Sequence, residues 1–156
     1  MIRLIAEALT EAAFAPFGFV HAIPKGGLRE GPFAPFGDDR PNAKVNATLI
    51  SCPARQGSRS IRDIERHLHG SQFFIPLGGG ELSLVVFPGG DEPDLAKGRA
   101  FVALPGLAFG YHKAVWHAGV AAVARESSVA SLLSRDGTAA DVEERKLTEA
   151  IEVVFP

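Results

Sequence analysis

The sequence predicts an all-β fold with a minor α contribution, a barrel or sandwich forming a single domain over residues 1–156 with one short helix near its start. Three observations carry this. The chain holds 17 Gly and 11 Pro, which cut it at short intervals in the rhythm of strands and turns. The stretches between them are short and apolar or alternating, as in Glu81-Leu82-Ser83-Leu84-Val85-Val86-Phe87. Strands at this density close into barrels or pack as sandwiches. With 156 residues, roughly 70% of the unfolded surface is available for burial, so the chain needs no covalent staple.

The elements follow in order. Thr10 is a helix cap, Glu11-Ala12-Ala13-Phe14 the helix, and Pro16 its end, which turns Phe14 and Phe17 to the core. Residues 24–42 have loop chemistry but carry Phe33 and Phe36, so they read either as a surface loop pinned by two rings or as a lid or dimer arm. Strands are expected over residues 45–50, 61–67, 72–77, 81–87, 101–104, 114–124 and 127–133. Residues 141–148 have a weak helical look, and residues 151–155 read as a last strand. Strict alternation puts Ile61, Asp63, Glu65 and His67 on one face, and Arg62, Ile64 and Arg66 on the other. In the same way Val115, His117, Gly119, Ala121 and Val123 share a face opposite Ala114, Trp116, Ala118, Val120 and Ala122.

Composition excludes several function classes. The chain is 46% hydrophobic with a formal net charge of −2, without the basic stripe of a nucleic-acid binder. Met1-Ile2-Arg3-Leu4-Ile5-Ala6-Glu7 is too short and too charged for a signal segment, and no apolar run reaches membrane length. The lone Cys52 cannot form an intrachain disulfide and reads as a small buried residue. These features lead to the expectation of a cytoplasmic protein that handles a small molecule, with no nucleic-acid or membrane partner. Gly78-Gly79-Gly80 lacks the Lys-Ser/Thr of a phosphate loop, and there is neither a Gly-x-Ser-x-Gly elbow nor a Cys-x-x-Cys pair.

Two stretches carry the chemistry. In Glu65-Arg66-His67-Leu68-His69-Gly70-Ser71-Gln72, Glu65 and His67 lie two apart on a strand and point the same way. A carboxylate beside an imidazole in an apolar cavity suits metal ligation or acid–base work. The competing reading is an exposed edge strand, with Arg62 and Arg66 opposite Asp63 and Glu65 as solvated charge. Gln72 lies just past the turn, on the returning strand. His67-Leu68-His69 has ligand spacing, but Gly70 places His69 in the turn, exposed. In Tyr111-His112-Lys113-Ala114-Val115-Trp116-His117, His117 is a polar group among small apolar residues: a satisfied core histidine, or a cavity base or ligand with space left beside it by Gly119 and Ala121. Tyr111 offers a phenolic donor at the cavity mouth, and His112 falls nearer the loop.

The run Ile64-Glu65-Arg66-His67, Gly70-Ser71-Gln72, Phe74 and Pro76, then Pro93-Asp94-Leu95, Ala100-Phe101, Tyr111-His112 and Val115-Trp116-His117, resembles the signature of the ureidoglycolate lyases, long called ureidoglycolate hydrolases. The likeness spans residues 45–137, with a weaker echo in Phe14-Ala15-Pro16-Phe17-Gly18. The resemblance implies a cupin-like β-barrel, or double-stranded β-helix, paired as a homodimer. The implied reaction cleaves ureidoglycolate to glyoxylate and urea in allantoin and purine breakdown. It further implies His117, Glu65 and His67 as catalytic residues, and Gln72, Tyr111, Lys113 and Arg135 as substrate-binding residues. No cofactor is required by it, though a divalent metal on His67, Gln72 and His117 is left open. The chain departs from the family pattern in places: no basic group precedes Pro53 in Thr48-Leu49-Ile50-Ser51-Cys52, Ser134 precedes Arg135, and Gly110 stands where Asn is usual. The alternative is a non-catalytic or divergent cupin that binds a small carboxylate metabolite.

Overall fold

Alternation and turn chemistry resolve into two facing β-sheets, seen in a computed structural model that describes residues 2–31 and 37–156. The chain opens with β1 (Ile2–Ile5), β2 (Glu7–Ala8), the helix α1 (Glu11–Phe14) and β3 (Gly18–Ala22). After the 24–42 region come β4 (Lys44–Cys52), β5 (Ala54–Arg55), β6 (Ser58–Arg66), β7 (Gln72–Pro76) and β8 (Glu81–Phe87). The remainder is β9 (Arg99–Ala103), β10 (Leu107–Tyr111), β11 (Trp116–Val123), β12 (Ser127–Arg135) and β13 (Glu143–Val154). The larger sheet runs β1-β13-β6-β11-β8-β9-β2, with β5 joined to β11; the smaller runs β3-β10-β7-β12-β4. Together they form a nearly closed, cupin-like barrel.

One core fills the space between the sheets. Phe14 and Phe17 from the helical corner meet Phe74, Phe109 and Tyr111 of the smaller sheet and Leu84, Val86 and Phe101 of the larger. A second core lies on the other face of the larger sheet, where Ile64, Phe87 and Trp116 pack beneath Leu147, Ile151 and Val153 of β13. Thr10 caps α1 through its hydroxyl, which accepts from the Ala13 N–H, and Cys52 is fully buried.

The structure corrects several expectations. The segment over 141–148 is strand, apart from a short 3₁₀ turn at Ala139–Asp141: Leu147 is needed in the second core, and β13 pairs along β6. That pairing slips between Lys146 and Ile151, so β6 changes face midway and Ile61 joins Ile64 in the second core instead of siding with Glu65. β11 likewise slips between Ala118 and Ala121, which puts Val120 and Ala122 on the His117 side and Val123 with Trp116. Ala114 has positive φ and belongs to the turn, so this strand begins at Trp116. β6 is an inner strand, and Arg66 is buried rather than solvated: it bonds Glu143 and the Gly90 carbonyl and lies over the Trp116 ring at 4.6 Å. β10 adds a strand where alternation predicts none; it is threaded between β3 and β7 by Gly110, where a Cβ would sit 2.3 Å from the Phe19 ring and 2.5 Å from the Gln72 carbonyl. This close approach accounts for glycine at position 110. The expected roles of Phe33 and Phe36 fall on residues 32–36, outside the described residues.

Candidate active site

Cross-strand register brings the two chemical stretches together. Glu65, near the end of β6, lies directly opposite His117 on β11, and His67 follows one residue beyond β6. One Glu65 carboxylate oxygen is 3.5 Å from Nε2 of His117 and 3.8 Å from Nε2 of His67. One ligand atom from each of the three residues lies within 4.8 Å of the other two. Both histidines are buried and Glu65 is half-buried.

Backbone carbonyls fix the imidazoles. Nδ1 of His67 is 2.9 Å from the Asp141 carbonyl, and Nδ1 of His117 is 2.9 Å from the Val115 carbonyl. A carbonyl can only accept, so each Nδ1 donates, and in the neutral ring each Nε2 presents a lone pair. Neither Nε2 has a hydrogen-bond partner, and both are sealed from solvent. Burial, followed by the neighbouring His117, pushes the pKa of His67 below its ordinary value, which favours the neutral ring. The facing His117 imidazole holds the Glu65 carboxyl below the usual carboxylate range, against the opposing effect of burial.

With both rings neutral the corner is built of acceptors, two nitrogen lone pairs and a carboxylate facing one another; a proton on Nε2 of His117 turns that ring into a donor toward Glu65, the form in which it lowers the carboxyl. Buried acceptors left in this state are costly. A divalent cation fits the set, because two imidazoles and one carboxylate are standard ligands, their ligand atoms are already gathered, and each ring's other nitrogen is anchored by a second group. The hydroxyl and N–H groups of a small polar ligand fit as well.

Tyr111 roofs the corner, its ring stacked on His117 with centroids 4.1 Å apart and 22° between planes. Its hydroxyl is buried without a partner, and burial drives the phenol above its ordinary pKa, so it remains a proton-bearing donor. Gln72, opposite Tyr111 on β7, donates to the Ser131 hydroxyl at 3.0 Å and leaves its amide oxygen free. Arg135, at the end of β12, is exposed, yet its charge acts on both Glu65 and His67. Lys113 stands apart: its ammonium pairs with Asp39 at 3.0 Å on the surface. His69 bonds the same Asp39, and Nε2 of the exposed His112 lies 3.2 Å from the Ala15 carbonyl.

Sequence reasoning missed Arg40. Its guanidinium gathers Asp38, Asp136 and Asp141 at 2.7, 2.8 and 2.8 Å, and the carbonyl of that same Asp141 holds His67. The only local hint was Asp38-Asp39-Arg40 after a Phe- and Pro-rich stretch; the partners lie about a hundred residues on.

Comparison with known proteins agrees with this picture. The family model described as ureidoglycolate lyase matches residues 1–154. A ureidoglycolate lyase of Pseudomonas savastanoi pv. phaseolicola is 33% identical over 96% of this chain and 93% of its own length. One from Pseudomonas fluorescens is 33% identical over 96% and 94%. Among solved structures, a dTDP sugar isomerase from Desulfovibrio desulfuricans G20 superposes with a TM-score of 0.54 at 17% identity, covering 85% of this chain and 83% of its own, a likeness of fold alone. With the match running almost end to end and the Glu65, His67 and His117 corner assembled, the chain belongs to the ureidoglycolate lyase family.

Proposed function

We propose that this protein carries out the reaction its family is named for, cleaving ureidoglycolate to glyoxylate and urea, at the corner formed by Glu65, His67 and His117. The observation that carries this reading is the pair of buried, unpartnered Nε2 atoms facing the Glu65 carboxylate. Ureidoglycolate bears a hydroxyl and a ureido nitrogen on one carbon, so it brings O–H and N–H donors to a site made of acceptors. Cleavage breaks the O–H bond, forms the carbonyl of glyoxylate, breaks the C–N bond and places a proton on the departing urea nitrogen. Glu65, held ionised, takes the hydroxyl proton. His117, stacked under Tyr111, relays a proton to the leaving nitrogen. Such acid–base assistance is worth about 10²–10⁴-fold. His67 orients the hydroxyl, and the Tyr111 phenol and the free Gln72 amide oxygen hold the ureido group. Arg135 faces the carboxylate. A divalent metal on Glu65, His67 and His117 would polarise the hydroxyl when bound. The family match weighs for this over a cupin that only binds a carboxylate metabolite.

In the same reading, residues 1–156 act as one cytoplasmic domain that pairs as a homodimer in allantoin breakdown. Support for pairing comes from β4, an edge strand whose outward Val45 and Leu49 are 59% and 77% exposed. Among the described residues no helix is long and apolar enough to cross a membrane. The direct test is glyoxylate release from ureidoglycolate by the purified protein. The expected result is turnover that is lost in His117→Ala; thermal stabilisation by glyoxylate with no turnover would overturn the lyase reading in favour of a binding protein.

A further inference from the structure

We propose that Lys44 of β4 is the second half of a carboxylate clamp with Arg135, and that β4 thereby forms the specificity wall of the site. The inference rests on the lyase reading for the identity of the ligand, and on register for its geometry.

Arg135 and Lys44 are direct cross-strand partners on β12 and β4, so their side chains rise from the same face. That face is the inner one. Two residues back along β12 on the same side is Leu133 of the shared core wall, then Ser131, which receives the Gln72 amide. On β4 the matching positions are Asn46 and Thr48. Lys44, Asn46 and Arg135 line an open cleft of about 670 Å³ at this end of the barrel. The next rung inward on this face runs Asn46–Leu133–Gln72–Tyr111, which carries the Gln72 amide and the Tyr111 phenol of the reacting corner.

Two like charges directly opposite in a ladder destabilise it. Here no direct ion pair among the described residues offsets them. Among the described residues neither Lys44 nor Arg135 has a carboxylate at ion-pair distance. Acids do line the same cleft, but they are committed elsewhere. Asp136 bonds Arg40 and the Thr138 N–H, while Asp141 bonds Arg40 and the N–H groups of Asp136 and Gly137. Arg40 holds Asp38, Asp136 and Asp141 in bonds of its own, so these carboxylates pair directly with neither cation, although one guanidinium against three carboxylates leaves two negative charges beside them. An incoming carboxylate relieves their repulsion and receives charge-assisted hydrogen bonds from both.

The test compares wild type with Lys44→Met and Lys44→Arg, using ureidoglycolate, its neutral primary amide, and glyoxylate binding by calorimetry. Lys44 is exposed on an edge strand, so the variants are expected to keep the fold. Lys44→Met should raise KM for ureidoglycolate and weaken glyoxylate binding roughly tenfold to a hundredfold, the scale of one lost hydrogen bond to a charged group. Its kcat should change little, Lys44→Arg should recover most of the loss, and kcat/KM for the neutral amide should stay put. Unchanged KM and unchanged glyoxylate affinity in Lys44→Met would overturn the clamp, as would equal losses for acid and amide. Absence of turnover in wild type, with glyoxylate binding still weakened by Lys44→Met, would sink the lyase reading while leaving the clamp standing.

Discussion

His67 and His117 differ from His69 and His112 far more than their spacing suggests. His67 and His69 lie two positions apart in sequence, and His112 and His117 five. Yet His67 and His117 are buried with Nε2 unpartnered, while His69 and His112 lie toward solvent with bonds to Asp39 and the Ala15 carbonyl. The difference comes from where strands end. Glu65 and His117 meet because β6 and β11 still pair at that rung, and His67 follows before the chain turns at Leu68. His69 lies within that turn, and His112 precedes the turn that leads into β11. Register against a partner strand, more than residue type, decides which histidine is available for chemistry.

The sharpest way to break this comparison is to remove one imidazole from each class. His117→Ala and Glu65→Gln should lower kcat/KM for ureidoglycolate by about 10²–10⁴-fold, as expected for loss of an acid–base group. His69→Ala and His112→Ala should remain within about twofold. Comparable losses in both classes, measured by glyoxylate release, would show that the buried corner is not where reaction occurs. Cobalt(II) titration followed by absorbance sharpens the same contrast. Saturable binding is expected in wild type, weakened at least about tenfold in His117→Ala and unaltered in His69→Ala. Binding that survives His117→Ala would place the metal away from Glu65, His67 and His117.

Glycines offer a smaller and purely structural contrast. Gly110 lets β10 press against β7 and carries Tyr111 onto His117, whereas Gly119 faces open space. Gly110→Ala should cost about 1–3 kcal/mol through overpacking and reduce turnover with it. Gly119→Ala should change stability by less than about 0.5 kcal/mol. Chemical denaturation of the two variants checks both figures, and equal midpoints would mean β10 can shift without harm.

Much of this was readable from residues alone. Thr10 and Pro16 mark the helix because capping and proline sterics are local. Glu65 and His67 were paired correctly because both lie past the slip in β6, where simple alternation still holds. Alternation alone puts Ile61 on the Glu65 face, but the bulge against β13 turns it to the other core, and such a bulge leaves no mark in the strand it shifts. The tail over 141–148 looked helical because its charged residues alternate unevenly, and only pairing with β6 makes it a strand. Lys113 looked suited to a carboxylate, but Asp39 takes its charge through a contact far apart in sequence. The Arg40 hub is invisible on similar grounds: nothing near Arg40 announces Asp136 or Asp141.

His67 further reports on the corner through its response to acid. The folded pKa of His67 lies below its ordinary value of 6.5, chiefly through burial. Above that value the ring is neutral in folded and unfolded chains alike, and it costs the fold nothing. As pH falls below it, the unfolded chain takes up a proton that the folded protein resists. Stability therefore declines with a slope approaching about 1.4 kcal/mol per pH unit, until pH passes the folded value. The Glu65 carboxyl, also lowered, acts in the same direction but only below its ordinary value of 4.5, so it contributes little between pH 7 and 5. Melting temperature followed over that range should fall in wild type and flatten in His67→Gln, which cannot titrate but retains an amide donor for the Asp141 carbonyl. If the His67→Gln curve runs parallel to wild type, the buried imidazole is not resisting protonation, and the acceptor-lined corner loses its main electrostatic argument.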